Sequence, residues 1–356
     1  MTFKILTINP GSTSTKIGVY HNTVASLTQN ISHSTSEITG FTSIPAQYEY
    51  RLAQITDFLT SHDLSVTDFS AIVGRGGLLK PVVSGTYRIN VAMLDDLKAS
   101  RYGAHASNLG AILSDHVAQQ AGCPAFIVDP VVVDELDPIA RITGRPEIER
   151  KSIFHALNQK AVAKHFARKL NRPYENINLI VAHLGGGITV GCHKQGRVVE
   201  VNNGLDGEGP FSPERAGTVE AGQFADAILK NHLTKDAVAK LLAGQGGLVA
   251  HLGTNDVREV QRRIEAGDKQ AELVFQAMIY NIARYIAGAA IPVCGKVDYI
   301  ILTGGIAYSE YLTTKLKEYV EFIAPVAVLP GEDELQALAE GAYRVLSGEE
   351  QAKEYN

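Results

Sequence analysis

The sequence predicts an α/β protein made of two similar halves, on three observations. The chain has 356 residues, more than one ordinary hydrophobic core accommodates and enough for two domains that each bury a sizeable interior. A strand, a glycine-bearing tip and a second strand at Phe3–Tyr20 return about 174 residues later at Leu179–Cys192, and self-similarity of this kind marks a repeated unit. Other short apolar runs stop abruptly at glycine, aspartate or threonine, as strands do where their ends converge on the crevice of an open α/β sheet.

The first run, Phe3 to Ile8, is broken by Pro10-Gly11 and resumes from Lys16 to Tyr20, which predicts a hairpin with a polar tip. The tip has GxxxxK but not GxxxxGK[ST], and a strand follows it where a Walker A loop has a helix, so a P-loop is excluded. Ala71–Val73 is read as a strand ending before Gly74-Arg75-Gly76-Gly77, and Ala125–Val128 as one ending before Asp129-Pro130. Ser152 is placed to cap a helix in which Ile153, Leu157, Ala161, Phe166 and Leu170 recur at helical spacing. Leu179–Ala182 and Ile188–Cys192 flank Gly185-Gly186-Gly187, and Gln195-Gly196 turns the chain into Arg197–Val201. Ala271–Ala290 reads as a long apolar helix, Tyr299–Leu302 as a strand before Thr303-Gly304-Gly305, and Glu332–Leu346 as a helix after Pro330-Gly331.

Composition narrows the function classes. Charged residues make up 20% of the chain, the net charge is −5 and there is no basic run, which argues against a nucleic-acid partner. Cys123, Cys192 and Cys294 are odd in number and lack CxxC spacing, so neither a disulfide framework nor a zinc site is expected. No apolar stretch approaches the roughly 18 residues of a membrane span, and the N-terminus lacks a signal-peptide pattern, so a cytoplasmic protein without a membrane partner is expected.

Taken alone, the candidate site residues admit two readings. Asn9, Ser12, Ser14 and Lys16 are either polar turn residues or donors to phosphate oxygens. Gly185–Gly187 form a tight turn or let backbone approach a ligand, and His183 before them is a core histidine or a ligand contact. Gly304-Gly305 suits any strand-to-helix junction. Arg75 in GRGG is not covered by local bulk and Arg215 in SPERAG follows a proline-rich loop, so both can reach into a cleft.

The segments NPGSTSTKIGVY, VGRGGLLKP, YGAHASNLG, FIVDPVVVDELDP, SIFHALNQKAVA, HLGGGITVG, LDGEGPFSPERAG, ILTGGIAYSE and GEDELQALAEGA, in that order, resemble the acetate kinase family, and within it the butyrate kinases, of the actin-like and sugar-kinase superfamily. The resemblance implies two ribonuclease-H-like (actin-like ATPase) domains, residues 1–131 with 335–356 and residues 132–334, with ATP between them and adenosine on the second. It implies phosphate contacts at the first tip and at His183 with Gly185–Gly187. It also implies nucleotide contacts at Gly304, Gly305, Ile306 and Ser309, with Asp256, Val257 and Arg258 closing over base and ribose. Family members are homo-oligomers built on a dimer, and the same is expected here. The superfamily leaves open an actin-like ATP-binding structural protein as the alternative of another class.

The implied reaction brings two anions together, so planar cations and a metal must offset their repulsion. Arg75 and Arg215 are assigned that task, with His155 bonding the equatorial phosphoryl oxygens. A carboxylic acid with a pKa near roughly 4.3 is already ionised, so no general base is needed, unlike a hydroxyl substrate. Asp129 is therefore assigned to metal-bound water or to orienting Arg75, and Mg²⁺ to Glu334 and Asp129, with Glu332 and Asp333 as neighbouring alternatives. Acetate kinases carry branched residues where this chain has Gly76-Gly77 and leucine where it has Ala104, beside His105. The expectation is extra room at Gly77, Ala104, His105 and Phe154 for two more methylenes, about 1.6 kcal/mol. That favours butyrate, or a branched acid such as isobutyrate, over acetate by tens-fold at most.

Overall fold

The computed structural model describes residues 2–356. The chain divides into two compact units, Met1–Val133 with Asp333–Asn356, and Asp134–Glu332.

The first unit holds a six-stranded sheet of β1 (Lys4–Pro10), β2 (Ser14–His21), β3 (Val24–Ser32), β4 (Ala71–Arg75), β5 (Thr86–Arg88) and β6 (Ala125–Val128), in the order β3-β2-β1-β4-β6-β5. β1, β2 and β3 are joined antiparallel, whereas β4 lies parallel to β1 and β6 parallel to β4. The second unit repeats the design with β7 (Asn178–Leu184), β8 (Ile188–Lys194), β9 (Arg197–Val201), β10 (Tyr299–Thr303) and β11 (Val326–Val328), in the order β11-β10-β7-β8-β9. Again three strands run antiparallel, and β10 and β11 add on in parallel. Even the register shift recurs, between Val19 and Tyr20 in β2 and between Cys192 and His193 in β8.

Packing follows from the strand type. The central parallel strand β4 is apolar up to Arg75, as a strand covered on both faces must be. The helix Asn108–Ala121 comes against it backbone to backbone, because a Cβ on Gly74 would strike the Gly110 carbonyl and one on Gly110 the Arg75 carbonyl. The helix Glu334–Leu346 buries Leu335, Leu338, Ala339 and Ala342 in the same unit, after Asp333 caps it by accepting from the Gln336 amide. In the second unit the helix Lys269–Gly288 turns Val274, Phe275, Met278, Ile282 and Ile286 onto Ile180, Ile300 and Leu302.

Two local expectations are corrected. Ser152 does not cap a helix; the helix is Ala156–Lys169 and His155 occupies the N-cap position. The Ile153 carbonyl accepts from the Gly204 amide (2.8 Å), which ties the preceding segment to a loop before the first helical turn closes. After Gly304 comes a single 3₁₀ turn, Gly305–Tyr308, and the α-helix Glu310–Val320 starts only after Ser309, whose hydroxyl accepts from the Leu312 amide.

Candidate active site

In the first unit the β1–β2 tip closes with the Gly11 amide donating to the Ser14 carbonyl (2.8 Å). Asn9 and Lys16 face each other in the ladder, so their side chains share one face. Asn9 is buried, Lys16 and Ser14 are half-buried and Ser12 is exposed. Asn9 Nδ2 donates to Glu334 Oε2 (2.5 Å), and Arg75, at the end of β4, pairs with Glu334 Oε1 (2.6 Å). Asn9, Arg75 and Glu334 thus form one cluster, assembled from the ends of two adjacent strands and the start of a helix.

Beneath the tip lies a residue that the sequence reading missed. Arg51 is 0% exposed, and among the described residues no carboxylate pairs with it. It donates to the Gly11 carbonyl (2.8 Å), the Ser14 carbonyl (3.1 Å), Thr15 Oγ1 (2.9 Å) and Gln47 Oε1 (2.9 Å). These bonds draw the tip carbonyls inward and place a fixed cation behind the turn. Burial lowers the Arg51 pKa, and burial followed by repulsion from Arg51 lowers that of His33, which bonds Thr15 Oγ1 (2.9 Å).

Asp129 sits at φ +37° after β6, and its Oδ1 accepts from Ser84 Oγ (2.6 Å) and the Gly85 amide (2.8 Å). The expectation that it orients Arg75 is therefore corrected: Glu334 and Asn9 do so, because they reach the guanidinium and Asp129 is committed to a neighbouring turn. The expectation of free volume at Gly77 is corrected as well. A Cβ there would meet the Asn108 side chain and stand 2.6 Å from its Cα, and one on Gly76 would stand 2.6 Å from Pro130 Cβ. The space beside these glycines is taken by Pro130 and Asn108. Ala104 and His105 lie exposed on the loop before Asn108, and His105 Nδ1 contacts Ser107 Oγ (2.8 Å). Phe154, in the second unit, is buried.

The second unit brings His155, His183, Gly185–Gly187 and Arg215 together. The two imidazoles stack, 3.8 Å between centroids and 10° between planes. The His183 ring nitrogens face Asn158 Oδ1 (2.7 Å) and Glu332 Oε1 (3.1 Å). The Arg215 guanidinium lies in the space a Cβ on Gly187 would take, and its Nη1 donates to the Gly204 carbonyl (2.6 Å). Burial lowers the Arg215 pKa, with Glu214 partly opposing the shift. Ser212 Oγ donates to the Gly186 carbonyl (2.6 Å), and the Glu214 amide donates to the same oxygen (3.2 Å), so the SPER turn holds the glycine tip in place.

Beside that tip opens a pocket of about 780 Å³ lined by Gly186, Pro213 and Asn255, by Asp256–Arg258 and Gln261, and by Gly305, Ile306, Tyr308 and Ser309. Its size falls within the range of small-molecule sites, roughly 300–1,000 Å³. Of the residues assigned to nucleotide, Gly186, Asp256, Val257, Arg258, Gly305, Ile306 and Ser309 line it. Gly304 stands one residue behind, its amide donating to the Gly331 carbonyl (3.1 Å). Asp256 caps the helix Val257–Glu265 and pairs with Arg258 (3.0 Å), whose hydrogen bonds hold the carboxyl below its usual range. Asn158 and Gln159 were missed, although their positions three and four after His155 place all three on one helix face. Glu214, next to Arg215, was missed with them.

Among the described residues, no group of three or more His, Cys, Asp or Glu side chains is arranged to hold a metal ion. A magnesium ion keeps most of its waters and takes further oxygens from phosphate, so one or two carboxylates suffice for it.

Two sheets of one repeated order, each with an antiparallel hairpin tip, define the actin-like ATPase architecture. Residues 145–323 match the model of the acetokinase family, just over half of the chain, and the protein belongs to that family. The fold is similar to acetate kinase from Porphyromonas gingivalis (TM-score 0.79, 18% identity, 97% of this chain and 100% of that one). It is also similar to a propionate kinase from Francisella tularensis subsp. tularensis SCHU S4 (0.73, 20%, 95% and 98%) and to acetate kinase from Entamoeba histolytica (0.75, 18%, 95% and 98%). No described helix is long and apolar enough to cross a membrane.

Proposed function

We propose that this member of the acetokinase family transfers a phosphoryl group between ATP and a short-chain carboxylate, with butyrate as the acid. The observation that carries the reading is the second unit's pocket, where Asp256–Arg258 and Gly305–Ser309 converge beside the Gly185–Gly187 tip. In it, the pocket takes adenosine, the tip amides meet phosphate oxygens, and Arg215 and His155 meet the transferring group as its charge spreads. Asn9, Ser12, Ser14 and Lys16 offer donors to the terminal phosphate, and Arg75, oriented by Glu334, binds an anion. Glu334 and Asp129 would hold magnesium through oxygens that retain free lone pairs, and the ion supplies neutralisation of phosphate charge.

The step is in-line displacement. A carboxylate oxygen forms a bond to the γ-phosphorus, the bond from that phosphorus to the β–γ bridging oxygen breaks, and ADP leaves with the electron pair. No proton moves, because the acid arrives ionised. The butyrate assignment rests on the motif resemblance and on the small, exposed Ala104; Gly77 no longer supports it. Rates with ATP and Mg²⁺ over acetate, propionate, butyrate, isobutyrate and valerate, with hydroxylamine trapping, test the reading. Hydroxamate forming fastest with butyrate is expected. Fastest turnover with acetate would remove the substrate assignment, and no hydroxamate with any acid would remove the carboxylate kinase.

A further inference from the structure

A chain of buried hydrogen bonds leads to His155, and its polarity can be read end to end. Gln159 Nε2 lies 3.0 Å from the Thr189 carbonyl oxygen, which only accepts, so the amide orientation is fixed and Gln159 Oε1 faces His193 Nε2 (3.1 Å). His193 is fully buried, and burial with the nearby Lys160 ammonium holds its pKa well below the ordinary value. It is neutral, donating from Nε2 to Gln159 and accepting at Nδ1 from the Tyr174 hydroxyl (2.7 Å).

Thr189 Oγ1 receives the Gln159 amide hydrogen (2.9 Å) and, more weakly, the His155 backbone N–H (3.4 Å). Both are donors only. Among the described residues, the Thr189 hydroxyl hydrogen is left with one acceptor, His155 Nδ1 at 2.9 Å. We infer that Thr189, oriented by Gln159, holds His155 as the tautomer protonated at Nε2, so that the ring presents an N–H donor on its far side. Thr189 and Gln159 are positioning residues. A charged imidazole would set Nδ1–H against the hydroxyl hydrogen and leave one of them unsatisfied in a site where Thr189 and Gln159 are 0% exposed. Every bond in the chain points the same way, and acceptance at Nδ1 makes Nε2–H the stronger donor.

The consequence for turnover rests on the phosphoryl role proposed for His155; the tautomer does not. The test is ¹⁵N NMR of imidazole-labelled protein, with the His155 signals identified by their loss in His155→Gln. A pyridine-type Nδ1 and pyrrole-type Nε2 are expected at neutral pH. Thr189→Val conserves shape and leaves Gln159 its carbonyl partner. It is expected to mix or reverse the two signals and to lower kcat about ten-fold or more with both KM values within about two-fold, while Thr189→Ser restores both. A pyrrole-type Nδ1 in the wild type, or an unchanged pattern in Thr189→Val, overturns the assignment. Signals that switch while kcat holds would support the tautomer and remove His155 from the phosphoryl reading. The wild-type spectrum decides even if Thr189→Val fails to fold.

Discussion

Arg75 and Arg51 are two cations of one unit that differ in their partners, and substitutions should separate them. Arg75 is tied to Glu334, a carboxylate only 7% exposed. Arg75→Ala is expected to lower kcat by on the order of 10²-fold. It should also cost about 3 kcal/mol of stability, because Glu334 stays buried without its partner. Adding Glu334→Gln should recover much of the denaturation midpoint and none of the turnover; recovery of turnover would show that Arg75 serves only to neutralise Glu334. Among the described residues Arg51 has no acid to orphan, and its charge lies behind the tip whose carbonyls it holds. Buried cations without an anion are costly, so a phosphate on the tip would be a natural counter-charge. Arg51→Met is expected to raise the KM for ATP about ten-fold and leave that for the acid unchanged, as read from initial rates. A change confined to the acid would place the anion elsewhere.

At the level of elements, Gly77 shows what a sequence pattern conceals. Glycine in place of a branched residue suggests a roomier pocket, yet the space is taken by Asn108 at the start of the helix Asn108–Ala121. The Asn108 side chain accepts from the Leu78 amide (2.9 Å) and donates to the Gly103 carbonyl (2.8 Å), so it clamps two loops together. Gly77→Val is therefore expected to lower the thermal midpoint by several degrees without shifting preference among C2 to C5 acids. A shift toward acetate at unchanged stability would restore the pocket reading. Hairpins, by contrast, were legible, because apolar runs interrupted by Pro10-Gly11 or Gly185–Gly187 leave the chain few alternatives. The pocket lining at Asp256–Arg258 was legible through motif resemblance. Arg51, Thr189 and Gln159 were not, since each acquires its meaning from residues distant in sequence: Arg51 lies 36 to 40 positions from the tip atoms it holds. β3 escaped as well, an exposed edge strand with too few apolar side chains to register as a period.

For the whole molecule, each unit holds one buried histidine whose pKa is lowered in the folded chain, and this gives stability a pH dependence of definite sign. His33 in the first unit and His193 in the second both have pKa values lowered in the folded chain, by burial first and then by Arg51 and Lys160 respectively. In the unfolded chain each returns to about 6.5, so the unfolded state binds more protons at mildly acid pH. The stabilising contribution is whole above that value and is lost as pH falls through it toward the depressed folded pKa. Each pH unit in which one imidazole titrates only in the unfolded chain removes about 1.4 kcal/mol. Thermal midpoints measured from pH 7.5 to 5 should therefore fall for the wild type. His33→Asn and His193→Asn, which cannot take up that proton, should each flatten the decline by its own share, even if both start from a lower midpoint. Because the two histidines belong to separate units, the shares should add within about 0.5 kcal/mol in the double variant. A wild-type midpoint that holds steady to pH 5, or variants that decline as steeply as the parent, would show that these imidazoles acquire their proton without unfolding.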